Sequence, residues 1–226
     1  EINRVMKPDV GIVADAAEAT ALLVNALAKH NIKRNSREGE MLGVKAEAAE
    51  IMETKAGPQM GWLRAMREVL PEDGLFIDEF TQVGYVSRVG FPVYKPRHIV
   101  TPGYQGTLGY GYATSLGVKV AHPDKAVLSI NGDGGFMFTM NEIATAVHHG
   151  INLVAVVFAD GAYGNVMRMQ KDLYDNKVIA SQFTNPDFVK LAESFGALGL
   201  RTDTPDGLKA ALETGFAANR PTIIEV

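Results

Sequence analysis

Short apolar runs alternate with amphipathic segments over most of the chain. From residue 57 onward this pattern predicts strands and helices in turn. The predicted strands are 75–79, 126–131, 153–159, 197–200 and 222–226, and the predicted helices are 59–70, 107–121, 139–149, 186–195 and 205–218. Strands that alternate with helices form parallel sheets through right-handed crossovers. We therefore predict an α/β domain whose parallel sheet carries helices on both faces.

The first 56 residues follow a different pattern. An apolar run at 10–14 predicts a strand, and apolar positions at helical spacing predict a helix over 16–29. This strand and helix have no sheet to join. Residues 31–39 are polar and charged, which is typical of a linker, and 40–55 is an Ala- and Glu-rich stretch that favours a helix. Gly57-Pro58 marks the start of the main domain.

Two acidic residues each follow one of the apolar runs. Asp133 lies in Asn-Gly-Asp-Gly-Gly-Phe and Asp160 in Asp-Gly-Ala-Tyr-Gly-Asn. Parallel strands bind ligands outside their carboxyl ends, so both carboxylates are expected in one crevice. The glycines beside Asp133 let backbone N–H groups approach a phosphate. Mg²⁺ prefers oxygen ligands shared between carboxylates and phosphates, and the two motifs together therefore predict a magnesium diphosphate site.

These motifs resemble the diphosphate-binding signature of thiamine diphosphate enzymes of the acetolactate synthase, benzoylformate decarboxylase and pyruvate decarboxylase group. The resemblance covers residues 57–226 and implies the thiamine diphosphate-binding fold. Residues 1–30 look like the tail of the central α/β domain of those enzymes, which leaves 31–56 as linker and helix. Most of the family has Asn-Asn where this chain has Ala159-Asp160.

The resemblance implies a metal and a cofactor with particular ligands. Asp133 and Asp160 would give side-chain oxygens and Ala162 a backbone carbonyl to Mg²⁺, with the diphosphate and one water completing the shell. The implied cofactor contacts are Thr81, Gln82, Gly106, Leu108, Gly132, Asp133, Gly134, Gly135, Ala162, Tyr163 and Gly164. A second carboxylate strengthens attraction for the metal and repels a metal-free diphosphate. Cofactor binding is therefore predicted to require metal.

A further segment, Tyr104 to Gly111, is similar to the Gly-Thr-Met-Gly segment of the family. By that resemblance Leu108 is the wedge that bends the cofactor and brings its amino nitrogen to the thiazolium C2, while the Gly106 carbonyl accepts a hydrogen bond from the amino group. These two residues have the implied catalytic roles. Without the resemblance, the segment is that of a tightly packed helix N-terminus, and Thr81 and Gln82 are solvated turn residues.

The implied reaction is attack of the cofactor ylid on a 2-oxo acid and loss of CO₂. Protonation then gives an aldehyde, whereas attack on a second carbonyl gives an acetolactate-type product, and no residue in the sequence decides between them. In the family, a Glu on the pyrimidine-binding domain of a partner subunit activates the cofactor. No motif of this chain matches it, so we expect a homo-oligomer, at least a dimer, and a chain that is inert alone.

Composition narrows the function classes. The 226 residues are 46% hydrophobic and 21% charged, which suits a globular domain with an appendage. A net charge of −4 without a basic cluster argues against nucleic acid. No apolar run reaches the about 18 residues of a membrane span. The lack of a signal-peptide pattern and of cysteine favours a cytoplasmic protein. The chain starts at Glu1, which we interpret as the interior of a longer polypeptide.

Other interpretations remain open. A phosphatase-like or mononucleotide-binding α/β domain also places Asp residues at strand ends, but its nucleophile and Lys or Ser/Thr partner cannot be assigned here. A non-catalytic cofactor-binding module would bind thiamine diphosphate and Mg²⁺ yet stay inactive with the complementary domain. A dinucleotide fingerprint starting at Gly109 is excluded because Thr114 replaces its third glycine. Residues 166–182 are predicted to form an active-site lid.

Overall fold

The computed structural model describes residues 2–30 and 35–226. The chain forms two compact units, Glu1–Ala46 and Glu47–Val226. Within the described ranges, no helix is long and apolar enough to cross a membrane. Part of the predicted linker, residues 31–34, lies outside the described residues. The assignment of residues 1–30 to a central domain stays a prediction.

The first unit contains helix α1, Ala16–Leu27, as predicted. The Asp15 carboxylate caps this helix by accepting the N–H groups of Ala17 and Glu18. The predicted strand at 10–14 is wrong, because this run is irregular and its apolar side chains are exposed. An apolar run becomes a strand only where another strand accepts and donates its backbone hydrogen bonds, and here the sheet pairs no strand with it.

Helix α2, Glu38–Val69, covers both helices predicted around Gly57-Pro58. It bends at Ala56, where φ is −143° and ψ is 28°. Proline has no N–H to donate and its ring clashes with the preceding turn, so a bend just ahead of Pro58 is expected. Beyond the bend, Leu63 and Met66 are buried against the sheet.

The sheet of the second unit is entirely parallel, which confirms the predicted fold class. Its strands are β1 (Leu75–Ile77), β2 (Ile99–Val100), β3 (Val127–Gly132), β4 (Val154–Phe158), β5 (Leu198–Arg201) and β6 (Thr222–Glu225). Their order is β2-β1-β3-β4-β6-β5. In the central pair β3 and β4, Gly132 lies opposite Phe158. Consequently the residues that follow these two strands leave the sheet side by side.

Helices pack on both faces, as the sequence predicts. Besides α2, the helices of the second unit are α3 (Gln82–Gly90), α4 (Tyr110–Ala121), α5 (Asp133–Thr139), α6 (Ile143–His149), α7 (Gly164–Leu173), α8 (Phe188–Phe195) and α9 (Pro205–Ala217). One core cluster combines the strands with α4, α5, α6 and α8, and the other combines them with α2, α3 and α9. Neighbouring strand residues alternate between the clusters, Phe76 facing one and Ile77 the other.

Four elements near the strand ends were not predicted. Helix α3 and the two-residue strand β2 lie between the predicted elements 75–79 and 107–121, α5 begins at Asp133 directly after β3, and α7 covers part of the segment predicted as a lid. The predicted helix 139–149 is a short 3-10 turn followed by α6. The proposed lid begins within α7, and its movement stays a prediction. Helices α3, α5 and α7 each begin after the carboxyl end of a strand, at the edge where the site described next lies.

Candidate functional site

Asp133 stands at the junction of β3 and α5. Only 1% of it is exposed. Its Oδ1 accepts the N–H of Gly134 at 2.7 Å, and its Oδ2 accepts both the N–H of Gly161 and the amide Nδ2 of Asn185, each at 2.7 Å. The carboxylate therefore links the end of β3 to the loop after β4. This is the crevice at adjacent strand ends that the sequence predicts.

Asp160 follows β4 and lies close enough to Asp133 for the charge of Asp133 to change the pKa of Asp160. Burial, and secondly that charge, raise the pKa of Asp160, while the backbone N–H of Ala162 opposes the rise. A cation between two neighbouring carboxylates stabilises their charged forms. In the described part of the chain no cluster of three or more His, Cys, Asp or Glu residues is arranged for a metal. A metal here would need backbone and ligand oxygens as well.

The loop after β4 is fixed by residues 181–183. The N–H of Tyr163 donates to the Ser181 carbonyl at 2.8 Å, and the N–H of Phe183 donates to the Gly161 carbonyl at 3.0 Å. A Cβ at Gly134 would overlap the Tyr163 ring, so the first motif tolerates only glycine at that position. Both predicted motifs, including Ala162 and Gly164, are thus brought together.

Of the two neighbouring residues Thr81 and Gln82, only Thr81 has its side chain at the Asp133 motif. Thr81 is buried, and its Oγ1 accepts the N–H of Gly84 at 2.7 Å and so caps α3. A Cβ at Gly132 would lie 3.4 Å from the Thr81 methyl group, so Thr81 adjoins the Asp133 turn and its O–H remains able to donate. The amide of Gln82 instead accepts a hydrogen bond from Gln59 on α2 at 3.0 Å. The structure brings Thr81, but not the Gln82 side chain, to the motif.

The segment before α4 has a strained backbone that glycine permits. Gly106 and Gly109 have φ of +62° and +80°. A Cβ at Gly106 would lie 2.8 Å from the ring of Phe80. The Thr139 hydroxyl donates to the Gly109 carbonyl at 3.3 Å, which joins the segment to the end of α5. Leu108 is 40% exposed, so this large apolar side chain lies outside the core and is available to a ligand.

Two polar residues of the site were missed. Asn185 donates to Asp133, while its own Oδ1 is buried and has no hydrogen-bond partner among the described residues. Glu79 is 1% exposed and accepts backbone N–H groups at the start of α4. Burial raises the pKa of Glu79 to about 6. The signal available for Glu79 was an acidic residue at the end of the predicted strand 75–79, and no sequence signal marked Asn185.

These residues fit a hydrated magnesium ion with a diphosphate. Two carboxylates and a backbone carbonyl are oxygen ligands of the kind that Mg²⁺ takes, and this ion usually keeps water molecules. An unpaired buried acceptor is costly unless a donor reaches it. The Oδ1 atom of Asn185, beside Asp133, suits a water of such an ion. The glycines of the first motif leave room for a phosphate to approach the backbone.

Comparison with known proteins identifies the class. The family model "Thiamine pyrophosphate enzyme, C-terminal TPP binding domain" matches residues 81–226. The fold and the paired strand-end carboxylates agree with this class of cofactor-binding domain. The chain belongs to the thiamine pyrophosphate enzyme family, and residues 81–226 are its C-terminal cofactor-binding domain. The family resemblance stated from the sequence is confirmed.

Individual relatives give the same result. The chain is 36% identical over 128 residues to the acetolactate synthase large subunit of Haemophilus influenzae, covering 56% of this chain and 22% of that protein. It is 30% identical to the 2-hydroxyacyl-CoA lyase of Arabidopsis thaliana, covering 97% and 42% respectively. The solved structure of a thiamine diphosphate-dependent 4-hydroxybenzoylformate decarboxylase from Rhodococcus jostii RHA1 matches with a TM-score of 0.69 at 26% identity, over 74% of this chain and 32% of that one. The chain spans less than half the length of these relatives.

Proposed function

We propose that residues 57–226 bind the diphosphate of thiamine diphosphate through Mg²⁺. Asp133, Asp160 and the Ala162 carbonyl would hold the metal. The observation that carries this proposal is the pair of carboxylates at the ends of β3 and β4, buried Asp133 and exposed Asp160, which lie close enough for the charge of Asp133 to raise the pKa of Asp160. A cation between them would offset their repulsion, and the glycines around Asp133 would admit the diphosphate.

The segment before α4 would orient the rings of the cofactor. When bound, thiamine diphosphate supplies a carbanionic nucleophile and an electron sink for 2-oxo acid chemistry. Leu108, exposed and apolar, would pack between the two rings and hold them bent. The Gly106 carbonyl would accept a hydrogen bond from the amino group of the pyrimidine. Thr81 would donate its O–H to the diphosphate, and Gln82 would need a different rotamer from the one paired with Gln59 to join it.

The whole protein is proposed to act on a 2-oxo acid, either as an acetolactate synthase-like carboligase or as a decarboxylase. Relatives named acetolactate synthase and 2-hydroxyacyl-CoA lyase support this range. The pyrimidine half of the cofactor would be bound by a domain of a partner subunit in a homo-oligomer, in the cytoplasm. Because this chain offers no motif for the activating Glu, we propose that it is catalytically inert when it is alone.

The test is a calorimetric titration of thiamine diphosphate into the chain with Mg²⁺ and with excess chelator. We expect a dissociation constant in the range of about 1 μM to 1 mM with Mg²⁺ and no heat of binding in chelator. Pyrophosphate in place of the cofactor should bind in the same metal-dependent way. Binding that is equal with and without metal, or absent for both ligands at millimolar concentration, would contradict the proposal.

A further inference from the structure

Glu79 is a buried carboxylate for which the proposed chemistry has no role. It follows β1, at the edge of the sheet where the site lies. Its Oε1 accepts the N–H of Gly109 at 2.6 Å and its Oε2 accepts the N–H of Gly111 at 3.2 Å. A backbone hydrogen bond from Tyr110 also stabilises its charged form. One side chain thus binds three successive N–H groups that lie about 30 residues further along the chain.

Helix α4 lacks a cap of its own. Its N-cap residue is Gly109, which has φ of 80° and ψ of 6° and no side chain to accept a hydrogen bond. The first N–H groups of a helix have no partner within the helix, and a negative charge is favourable there. Glu79 supplies both the acceptor and the charge from a distant strand. The position of the first turn of α4 therefore depends on this carboxylate.

Two glycines make room for the Glu79 side chain. A Cβ at Gly111 would lie 2.8 Å from its Oε2, and a Cβ at Gly135 would overlap its Oε1. A third glycine, Gly109, donates the shorter of the two measured hydrogen bonds. Gly135 belongs to α5 and to the Asp133 motif. Glu79 therefore joins the end of β1 to the start of α4 and packs against α5, and the two segments proposed to bind the cofactor share this one contact.

Leu108 directly precedes the residue that Glu79 holds most tightly. The core does not fix its side chain, because Leu108 is 40% exposed. Its placement must come from the backbone at Gly109. We propose that Glu79 is a positioning residue that holds the Gly109–Gly111 backbone and thereby places Leu108 between the rings of the cofactor, an inference that rests on the proposed function.

The experiment compares Glu79→Gln with the wild type by amide hydrogen exchange in the cofactor-free chain. Gln has one acceptor oxygen, and its amide would face N–H groups that need an acceptor. We expect exchange at Gly109, Tyr110 and Gly111 to become at least about tenfold faster. The matched control is Glu225→Gln, because Glu225 also accepts a backbone N–H, that of Phe188 at 3.0 Å. This control should leave exchange at the three amides unchanged.

Two ligands then separate positioning from general damage. With Mg²⁺, Glu79→Gln should weaken binding of thiamine diphosphate about tenfold and leave binding of pyrophosphate, which has no rings, unchanged. Glu79→Asp keeps the charge, but its side chain is one methylene shorter. Its amide exchange rates and its affinity for thiamine diphosphate should lie between those of the wild type and Glu79→Gln. Unchanged exchange in Glu79→Gln, or equal losses for both ligands, would overturn the inference. If the wild type binds neither ligand in a metal-dependent way, the proposed function is refuted. Amide hydrogen exchange would still test the hydrogen bonds of Glu79 in that case.

Discussion

The diphosphate region around Asp133 and the ring region around Glu79 use the same chemical group for different purposes. Glu79 has backbone donors on both oxygens, and the carboxylate whose charge raises its pKa, Asp78, is paired with Arg88. Asp133 also has donors, yet it sits beside Asp160, whose pKa its charge raises. A buried carboxylate with satisfied oxygens fixes the backbone, whereas two that repel each other create a place for a cation. Hydrogen-bond partners and neighbouring charge, rather than residue type, distinguish the two roles.

The strongest test of this difference is Asp133→Asn. The amide removes the central negative charge of the metal site while keeping a side chain of the same shape. We expect affinity for thiamine diphosphate with Mg²⁺ to fall at least about 100-fold, because hydrogen bonds and metal bonds to a charge are lost together. Titration calorimetry measures this affinity in the wild type and the variant. Asp203→Asn, an exposed site on the loop before α9, is the control and should bind as the wild type does.

The ionisation of Glu79 should make the free energy of unfolding depend on pH. Its pKa is raised from 4.5 to about 6, first by burial and then, among charges, by Asp78. A raised acid pKa means that the folded state binds the extra proton, so the contribution of Glu79 to stability is full below about pH 4.5 and is lost as pH rises to about 6. The loss amounts to about 2 kcal/mol. Gly111 and Gly135 pack against the Glu79 carboxylate.

Denaturant unfolding of the wild type and of Glu79→Gln between pH 4 and pH 8 measures this contribution. The difference in unfolding free energy between the two proteins should change between about pH 4.5 and about pH 6 and stay constant at higher pH. A constant difference at every pH would show that the carboxyl titrates in the folded protein as it does in the unfolded chain. Glu225→Gln should not reproduce the profile.

Asp160→Asn should have a smaller effect than Asp133→Asn. The substitution restores the residue that is common at this position in the family, and an amide oxygen can still bind Mg²⁺. We expect the affinity for Mg²⁺ in the presence of pyrophosphate to fall about tenfold, because one negative charge is lost. Weak binding of metal-free pyrophosphate should improve. An increase in Mg²⁺ affinity would argue against Asp160 as a ligand.

The smallest effect is expected for Leu108→Ala. Removing an exposed side chain leaves no cavity in the core, so the unfolding free energy should change by less than about 0.5 kcal/mol. Affinity for thiamine diphosphate should fall about threefold to tenfold, and that for pyrophosphate should stay constant. Leu173→Ala, which shortens another exposed leucine, on α7, is the control. Equal affinity of the wild type and Leu108→Ala for the cofactor would show that Leu108 does not contact the rings.

The central strands and both acidic motifs were predictable because their signals are local. Continuous apolar runs ended at Asp133 and Asp160, and parallel strands necessarily place such residues at one edge. The strand expected at 10–14 failed because an apolar run does not by itself supply a pairing strand. Helix α3 was missed because it is short and contains two glycines, and because its cap, Thr81, was read as part of a loop.

Glu79 and Asn185 were missed because their partners are remote in sequence. Glu79 binds amides about 30 residues away, and Asn185 binds Asp133 across 52 residues. No spacing rule links such residues, and only the sheet order brings them together. Glu79 also breaks the expectation that charged residues stay exposed. Its burial among glycines becomes visible only when the backbone of α4 and α5 is in place.

The central claim is that a divalent cation lies between Asp133 and Asp160 when a diphosphate is bound. Mn²⁺ takes the same oxygen ligands as Mg²⁺ and broadens the NMR signals of nearby amides. Titrating Mn²⁺ into the chain with pyrophosphate should broaden the amides of Gly134, Gly161 and Ala162 first, and Asp133→Asn should abolish this broadening. Broadening that begins elsewhere, or that persists unchanged in Asp133→Asn, would contradict the account.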